Sequence, residues 1–507
     1  MKVTLLSVFP DLTAFGLRHI GACLNKQGHD VKIIFLPDSG FRKITNLEER
    51  RQYRYPDIIL DEVSQLSEGS DLVGISLFSC YVPQAIALTE RIKTMNIPVL
   101  WGGKHPSAMP EDSLQYADMV ALGEGELAIQ DLATKMEAGQ DYFDTEGFHF
   151  NTPNGVKENP VAAMVNDLDT LPWIDYDFCP HYVWDQNGGD KIVPLSNDLL
   201  AESLLTPNST PEGKTFLVMM TRGCPFGCTY CFTFKDLYKG EEYVRNRSVE
   251  NFIQELEMLK NKYDFVSHFS ICDDEFLAQD MPVIEEFADK YQKRIGMPFS
   301  CLASPWHSNV DKLRPLVDAG LQEVQMGVET VSKNGKMAYK RNIGNKKIMK
   351  AVKAVNEYRH QLTPSYDFIL DNPFEETEDI LTNIRFVLEI PKPFHLDLFS
   401  LVLFPGTAMF NDVYEDRLER FPDYDLDYMK LYLEQRPTYL NMVFHLFNKG
   451  VPNWAIRFAI SKPLVYLFQD KGLGKMFYVM RDFMRATGIP SLVNSIRGKQ
   501  ATGIYGS

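Results

Sequence analysis

The chain has 507 residues, of which 45% are apolar and 24% are charged. This is the composition of a folded globular protein, and the length predicts two to four domains. The formal charge of −16 argues against a general nucleic-acid-binding protein, because such a protein needs a basic surface to contact phosphates.

The cysteines and the N-terminus indicate the compartment. Eight cysteines are too few for a disulfide scaffold in a chain of this length, and three of them fall within residues 224–231, which indicates metal binding under reducing conditions. Residues 1–10 are typical of a first strand rather than of a signal peptide, and no apolar run of about 18 residues predicts a membrane-spanning helix. We therefore expect a cytoplasmic protein.

The first 145 residues alternate strands with helices. Continuous apolar runs predict strands at 3–9, 31–36, 72–77, 98–101 and 119–122. Helical periodicity predicts helices at 15–27, 82–94 and 126–138. This alternation is typical of an α/β domain with a parallel sheet covered on both faces, and such sheets bind ligands at the carboxyl ends of their strands.

The loops after the third, fourth and fifth strands are rich in glycine and small polar residues, which let the backbone approach a bulky ligand. They contain Ser76, Phe78, Ser79, Gly102, Gly103, His105, Gly123, Glu124 and Gly125. No GxGxxG follows the first strand, so a dinucleotide cofactor is not expected. The pattern resembles a flavodoxin/Rossmann-like cobalamin-binding domain, and the resemblance implies that these nine residues bind cobalamin. The alternative is a flavodoxin-like sheet without a cofactor.

One departure from that resemblance concerns the first loop. Many cobalamin-binding domains carry the pattern D-x-H-x-x-G after the first strand, and its histidine ligates cobalt. Residues 11–16 here have Thr13 at the histidine position. If cobalamin binds, we expect that no histidine of this loop is the lower ligand of cobalt.

A glycine-rich loop near the middle of the chain holds three cysteines. Cys224, Cys228 and Cys231 follow the spacing C-x3-C-x2-C, with Tyr230 directly before the third. Clustered thiolates select zinc or an iron–sulfur cluster, and a structural zinc site needs a fourth ligand that is not found nearby. Three ligands leave one iron of a 4Fe-4S cluster open. The loop closely resembles that of the radical S-adenosylmethionine (SAM) superfamily; the alternatives are a zinc site or a coincidental loop.

The flanking segments agree with that resemblance. Residues 146–214, rich in Pro, Asn, Asp and Gly, are predicted to be a linker that ends in a loop at 196–214. Six strands are then predicted, at 216–220, 268–271, 299–303, 323–328, 366–370 and 396–403, with helices between them. This order over residues 215–410 predicts a partial (β/α)6 barrel with its site at the carboxyl ends of the strands. Residues 411–507 are predicted to form a small, mostly helical region.

Polar residues stand at the ends of the barrel strands: Asp273, Asp274, Ser304, Glu329 and Asp371. The superfamily resemblance implies that these residues and Tyr230 bind SAM. It implies that Asp273 or Asp274 accepts from the methionine ammonium, and that Glu329 holds ribose hydroxyls or orients a basic partner. Arg341 is a weaker candidate for the methionine carboxylate. The alternative for each carboxylate is a helix cap or a surface charge.

Together the two halves resemble cobalamin-binding radical SAM enzymes over residues 1–410. The resemblance implies three cofactors (a 4Fe-4S cluster, SAM and cobalamin), a flavodoxin or ferredoxin-type reductant and a small-molecule substrate. We expect SAM cleavage to generate a radical that activates an unreactive carbon or phosphorus centre for methylation. A cobalamin-dependent oxidoreductase or cyclase and a non-catalytic cobalamin or redox sensor are the alternatives.

The C-terminal region differs from the rest of the chain in charge. Residues 441–507 contain nine basic and two acidic residues, and aromatic residues alternate with the basic ones over 451–490. This pattern indicates either a peripheral contact with the inner face of a membrane or a helical cap on the barrel with its aromatic side chains in the core.

Overall fold

The computed structural model describes residues 1–37, 44, 47–174, 176–205, 213–238, 242–416 and 431–471. The strands are β1 (Lys2–Ser7), β2 (Asp30–Phe35), β3 (Leu72–Ser76), β4 (Val99–Gly102), β5 (Met119–Ala121), β6 (Phe148–Thr152), β7 (Gly155–Glu158), β8 (His181–Asp185), β9 (Lys191–Pro194), β10 (Lys214–Val218), β11 (Thr221–Arg222), β12 (Arg245–Asn246), β13 (Val266–Ile271), β14 (Phe299–Ala303), β15 (Leu321–Glu329), β16 (Thr363–Leu370) and β17 (His395–Ser400).

The helices alternate with these strands through most of the chain. They are α1 (Phe15–Lys26), α2 (Leu47–Gln52), α3 (Asp57–Ser67), α4 (Val82–Lys93), α5 (Lys104–Ala108), α6 (Pro110–Ser113), α7 (Glu126–Glu137), α8 (Asn197–Ser203), α9 (Val249–Lys262), α10 (Met281–Arg294), α11 (Val310–Asp318), α12 (Lys333–Tyr339), α13 (Asn345–Asn356), α14 (Thr377–Val387), α15 (Ala408–Asp416), α16 (Tyr439–Asn448), α17 (Asn453–Ala459) and α18 (Lys462–Val465).

A nine-stranded sheet forms the N-terminal part, with the strand order β7-β6-β5-β4-β3-β1-β2-β8-β9. The five predicted strands lie at its centre and pair in parallel. Successive side chains of a strand point to opposite faces, so Leu5 and Leu6 of β1 enter two different apolar cores. Helices α1 and α7 cover one face, and α3 and α4 cover the other. The prediction of a two-sided α/β domain is confirmed.

The segment that the sequence predicts to be a linker adds four strands to this sheet. Strands β6 and β7 extend one edge in antiparallel pairing, whereas β8 and β9 extend the other. The loop predicted at 196–214 is wrong for residues 197–203, which form α8 behind a Ser196 cap whose hydroxyl accepts from the Leu199 amide at 3.2 Å. Short strands near the edge of a sheet are held mainly by backbone hydrogen bonds to a neighbouring strand. Their sequences therefore carry little of the apolar pattern from which strands are predicted.

A second, six-stranded sheet has the order β10-β13-β14-β15-β16-β17, with every pair parallel. The six predicted strands thus form a half-barrel in chain order, as expected. Alternate side chains such as Val324, Met326 and Val328 face the covering helices and are buried. Helix α12 was not predicted, because its seven residues carry too short an apolar pattern.

The C-terminal helices attach to the last strand of the half-barrel. The side chain of Asn448, in α16, accepts from the backbone amide of Leu396 at 2.9 Å and donates to its carbonyl at 2.7 Å. At the other edge, Leu205 pairs with Thr215 of β10 in an isolated bridge. None of the described helices has the length and apolarity required to cross a membrane.

Candidate cofactor sites and their junction

The cysteine loop leaves β10 through the two-residue ribbon of β11 and β12. One oxygen of Asp273 accepts from the backbone amides of Met220 at 2.7 Å and Thr221 at 3.0 Å, and this fixes the entry to the loop. Gly223 has a φ of +91°, and a Cβ there would overlap with the carbonyl of Tyr243. Glycine is therefore required where the chain turns into the cysteine motif.

The three cysteines are free thiols with the chemistry of a cluster site. Burial raises the pKa of Cys224 to about 12 and that of Cys231 to about 11. The thiols of Cys224 and Cys231 are therefore protonated in the metal-free protein, and binding of iron must displace these two protons. Among the described residues, no three His, Cys, Asp or Glu side chains converge as ligands of a single metal ion. In a 4Fe-4S cluster, by contrast, each of the three thiolates binds a different iron atom.

A polar network joins the cysteine loop to the end of β15. Arg341 donates to the Cys228 sulfur at 3.4 Å and to the carbonyl of Gly327 at 2.6 Å. Glu329 has a φ of +65°, and the neighbouring Tyr230 hydroxyl acts to lower the pKa of its carboxyl group. Burial raises the pKa of Glu329, and the neighbouring Arg341 guanidinium opposes that rise. Tyr230 and Glu329, both predicted SAM contacts, are thus brought together beside a cysteine.

Asp274 faces the same space from the end of β13. Its side chain is exposed, yet desolvation by the surrounding protein raises its pKa. Lys104 follows β4 of the first sheet, and its ammonium group opposes the rise in pKa of both Asp274 and Cys231. Lys104 was not singled out from the sequence, since it has no motif that links it to the cysteines.

Ser304 and Asp371 lie at the same edge but have protein partners. The Ser304 hydroxyl accepts from the backbone amide of Trp306 at 3.3 Å. The Asp371 carboxylate accepts from Ser400 at 2.6 Å, from the Arg436 amide at 2.8 Å and from Asn441 at 2.7 Å. In this structure Asp371 therefore fastens the C-terminal segment to the half-barrel.

The predicted cobalamin contacts lie at the carboxyl ends of β3, β4 and β5. The Ser79 hydroxyl lies 3.0 Å from Nδ1 of the buried His105, and Phe78 packs edge-on against Phe9. A Cβ at Gly103, whose φ is +106°, would lie 2.8 Å from the Leu77 carbonyl. Ser76 and Gly102 end their strands beside it. This small-residue edge fits a bulky, flat cofactor.

The Gly123–Gly125 loop reaches across to the half-barrel. The backbone amide of Glu124 donates to the Tyr238 hydroxyl at 2.7 Å, and the Glu124 carboxylate pairs with Arg245. The guanidinium of Arg222 lies 2.6 Å from Glu126 and 3.5 Å from Glu124. We define these two carboxylates and two arginines as the junction. The sequence assigned Glu124 to cobalamin alone, because pairing between distant segments has no local signal.

Two family models match the two sheets in the order in which they occur. A B12 binding domain model matches residues 1–133, and a radical SAM superfamily model matches residues 218–387. The chain belongs to the cobalamin-binding radical SAM enzymes. Its cofactors are a 4Fe-4S cluster, SAM and cobalamin.

Curated relatives of this chain include two named methyltransferases. The uncharacterized methyltransferase PH0819 of Pyrococcus horikoshii is 23% identical over 404 residues, which cover 78% of this chain and 77% of the relative. Cytidylyl-2-hydroxyethylphosphonate methyltransferase of Streptomyces wedmorensis is 23% identical over 346 residues, which cover 62% of this chain and 61% of the relative.

Solved structures share the fold. The methyltransferase TsrM from Kitasatospora setae, solved with tryptophan and a SAM analogue, gives a TM-score of 0.60 at 17% identity, with 82% of this chain and 76% of TsrM covered. OxsB with aqua-cobalamin and SAM bound gives a TM-score of 0.63 at 16% identity, with 96% of this chain and 75% of OxsB covered. Both likenesses extend over both sheets of the present chain.

Proposed function

We propose that this enzyme transfers a methyl group to an unreactive carbon or phosphorus centre of a small molecule. The observation that carries the proposal is the junction, in which Glu124 and Glu126 of the B12 binding domain pair with Arg245 and Arg222 beside the cysteine loop. One substrate lying between the two edges would therefore reach both cofactors. When bound, these cofactors supply one-electron cleavage of SAM and a transferable methyl group.

The residues of the chain would hold and orient these groups. In this proposal Cys224, Cys228 and Cys231 hold the cluster, and Arg341 donates to the Cys228 sulfur. Tyr230, Asp273, Asp274, Ser304, Glu329 and Asp371 bind or orient SAM. Ser76, Phe78, Ser79, Gly102, Gly103, His105 and the Gly123–Gly125 loop form the cobalamin edge.

The mass of the product tests methyl transfer. Anaerobically reconstituted enzyme is incubated with a flavodoxin or ferredoxin-type reductant, methyl-labelled SAM and cell extract. We expect a labelled product that has gained one CH₂ unit. A product that has lost hydrogen or gained oxygen, without label, would instead support an oxidoreductase or cyclase. A further relative is named as such a cyclase: the anaerobic magnesium-protoporphyrin IX monomethyl ester cyclase of Rubrivivax gelatinosus is 23% identical over 323 residues.

A peripheral membrane contact through residues 451–490 is a further part of the proposal. Trp454, Phe458 and Tyr466 are 73%, 68% and 57% exposed, so a cap with all its aromatic side chains in the core is wrong for these three. Ile456 and Val465 supply the buried contacts of this segment. Residues 472–490 lie outside the described part of the chain. Exposed aromatic residues beside basic ones support an interfacial position.

A further inference from the structure

The inner face of the half-barrel sheet is polar. The odd-numbered positions of β14 and the even-numbered positions of β15 contact the covering helices, so the alternate side chains point inward. These inward residues include His268, Ser270, Ser300, Gln325, Asp367 and Asp397. Barrel interiors of this kind are ordinarily filled with branched apolar side chains. The apolar inward side chains, such as Leu302, Ile369 and Phe399, lie near the ends of their strands.

Two carboxyl groups are neighbours within this face. Asp367 and Asp397 are register partners on β16 and β17, so their side chains leave adjacent strands on the same side. Both residues are partly exposed, which means that the space in front of them is accessible. Acidic neighbours alone do not define a ligand site, since two carboxyl groups can share a proton.

Gln325 gives an independent indication of a ligand. It is 4% exposed, and its Nε2 donates to both oxygens of Asp367, at 3.0 and 3.1 Å. Its Oε1 has no hydrogen-bond partner among the described residues. A buried amide oxygen without a donor costs free energy, so a ligand that donates to it would be favoured.

The charges that face Asp367 are mostly negative: the Glu329 and Asp397 carboxyl groups raise its pKa, and the Arg341 guanidinium lowers it by a smaller amount. Arg341 is engaged with Gly327 and Cys228, and it opposes the raised pKa of Glu329. His395 lies 3.6 Å from Asp397, and His268 is neutral because burial lowers its pKa to about 4. Burial raises the pKa of Asp367 well above its usual range, so a cation bound beside it would favour the ionised carboxylate.

We propose that Asp367, Asp397 and Gln325 bind a cationic nitrogen of the substrate, so that this enzyme acts on an amine. This inference rests on the proposed function, because it names the class of substrate that the enzyme would methylate. An ammonium group offers three donors without an acceptor, which matches two carboxyl groups and one unsatisfied amide oxygen. In the half-barrel, the amine lies inward of Glu329 and the cysteine loop, and the rest of the substrate extends towards the junction.

A charge fractionation of cell extract tests this proposal. The small molecules of the extract are separated at neutral pH into a cation-exchange eluate, an anion-exchange eluate and a neutral fraction, and each is added to the reconstituted holoenzyme with methyl-labelled SAM. Formation of 5′-deoxyadenosine and transfer of label are both measured. We expect the cationic eluate to stimulate both, and we expect acetylation of its amines to abolish the effect.

Variants locate the effect at the cluster. Asp367→Asn keeps the shape of the side chain and removes its charge, and we expect the half-maximal concentration of the cationic eluate to rise at least about tenfold. Asp318→Asn, at an exposed position on the outer surface, is the matched control and leaves that concentration unchanged. Iron content and the cobalamin absorption spectrum show whether each variant is folded and loaded.

The outcomes separate the two proposals. Stimulation by the anionic or neutral fraction alone, or an unchanged half-maximal concentration in a loaded Asp367→Asn variant, overturns the amine proposal and leaves methyl transfer intact. Stimulation of 5′-deoxyadenosine formation by the cationic eluate without transfer of label overturns methyl transfer and supports the amine site. A cationic eluate that stimulates neither reaction also overturns the amine proposal.

Discussion

At the scale of single residues, each cysteine of the motif has a different surrounding. Cys228 has a guanidinium donor in Arg341, whereas Cys231 lies within the influence of Lys104 from the other sheet. Asp273 separately fixes the backbone before the loop, because its carboxylate accepts hydrogen bonds from two backbone amides there. Binding of the thiolates and orientation of the loop therefore depend on different side chains.

Replacing Cys224, Cys228 and Cys231 together with alanine should remove the cluster. Anaerobic reconstitution of the wild-type chain should give about four irons and four sulfides per chain. The triple variant should lose the brown chromophore, as measured by iron analysis and visible absorption. Cys23→Ala, at a buried free thiol of α1, is the control and should keep its iron. A triple variant with full iron content would contradict the assignment of the cluster.

His268 should make the stability of the enzyme depend on pH. Burial lowers its pKa to about 4, so the folded state binds a proton less readily than the unfolded state. Its neutral form stabilises the fold above pH 6.5, and that contribution is lost as the pH falls through 6.5 towards 4. At pH 5 the loss is about 2 kcal/mol.

The His268→Gln variant removes this titration. Its melting temperature should therefore fall less than that of the wild type between pH 7.5 and pH 5, as measured by calorimetry. His360→Gln, at an exposed position, is the control and should follow the wild type. Equal falls for wild type and His268→Gln would show that His268 does not carry the effect.

At the scale of elements, long apolar strands were predictable and short edge strands were not. The central strands of the N-terminal sheet, such as β1, are buried on both faces, so their sequences are mostly apolar and predict strands. Strand β15 of the half-barrel instead places apolar residues at alternate positions over 324–328, which is the period of a strand with one apolar face. In β6 only Phe148 and Phe150 are buried, and this brief alternation lies in a segment rich in turn-forming residues. Asp371 was placed correctly at a strand end, but its partners Arg436 and Asn441 lie too far along the chain to be inferred from sequence.

The loop after β5 offers a test of the contact between cobalamin edge and half-barrel. Gly123 has a φ of +68°, and a Cβ there would overlap with the Tyr238 hydroxyl. Gly123→Ala should therefore displace Tyr238 and reduce retention of cobalamin, as measured by visible absorption after gel filtration. Gly139→Ala is the matched control, because its φ is +61° and nothing lies within 4 Å of its Cβ position.

Both glycine variants carry the backbone strain, which costs about 1 kcal/mol. Only Gly123→Ala carries the steric overlap. Similar melting temperatures with a selective loss of cobalamin from Gly123→Ala would confirm the role of this contact. Equal retention of cobalamin by the two variants would contradict it.

At the scale of the whole molecule, the C-terminal end combines a net positive charge with exposed aromatic residues. Each basic residue near an anionic leaflet contributes about 1 kcal/mol, and the acidic remainder of the protein is screened beyond about 10 Å. The exposed Trp454 and Phe458 would add apolar contact. A membrane contact would therefore depend on both lipid charge and these two rings.

Flotation with liposomes measures that dependence. At low salt the protein should float with vesicles that contain anionic phospholipid and remain at the bottom with neutral vesicles. The double variant Trp454→Ala and Phe458→Ala should float less, whereas Leu237→Ala, at another exposed apolar residue, should float as the wild type does. Failure to float with both kinds of vesicle would rule out the contact.

The Asn448 side chain gives the C-terminal helices a protective role. It forms hydrogen bonds with both the backbone amide and the backbone carbonyl of Leu396. In addition, the Tyr432 carbonyl accepts from the backbone amide of Ser400, and the Gln435 side chain donates to the Leu398 carbonyl. These bonds cover the free edge of β17, which would otherwise offer a template for strands of another molecule. A chain shortened before residue 431 would lose this cover, and its first defect would be self-association into aggregates rather than a change in chemistry.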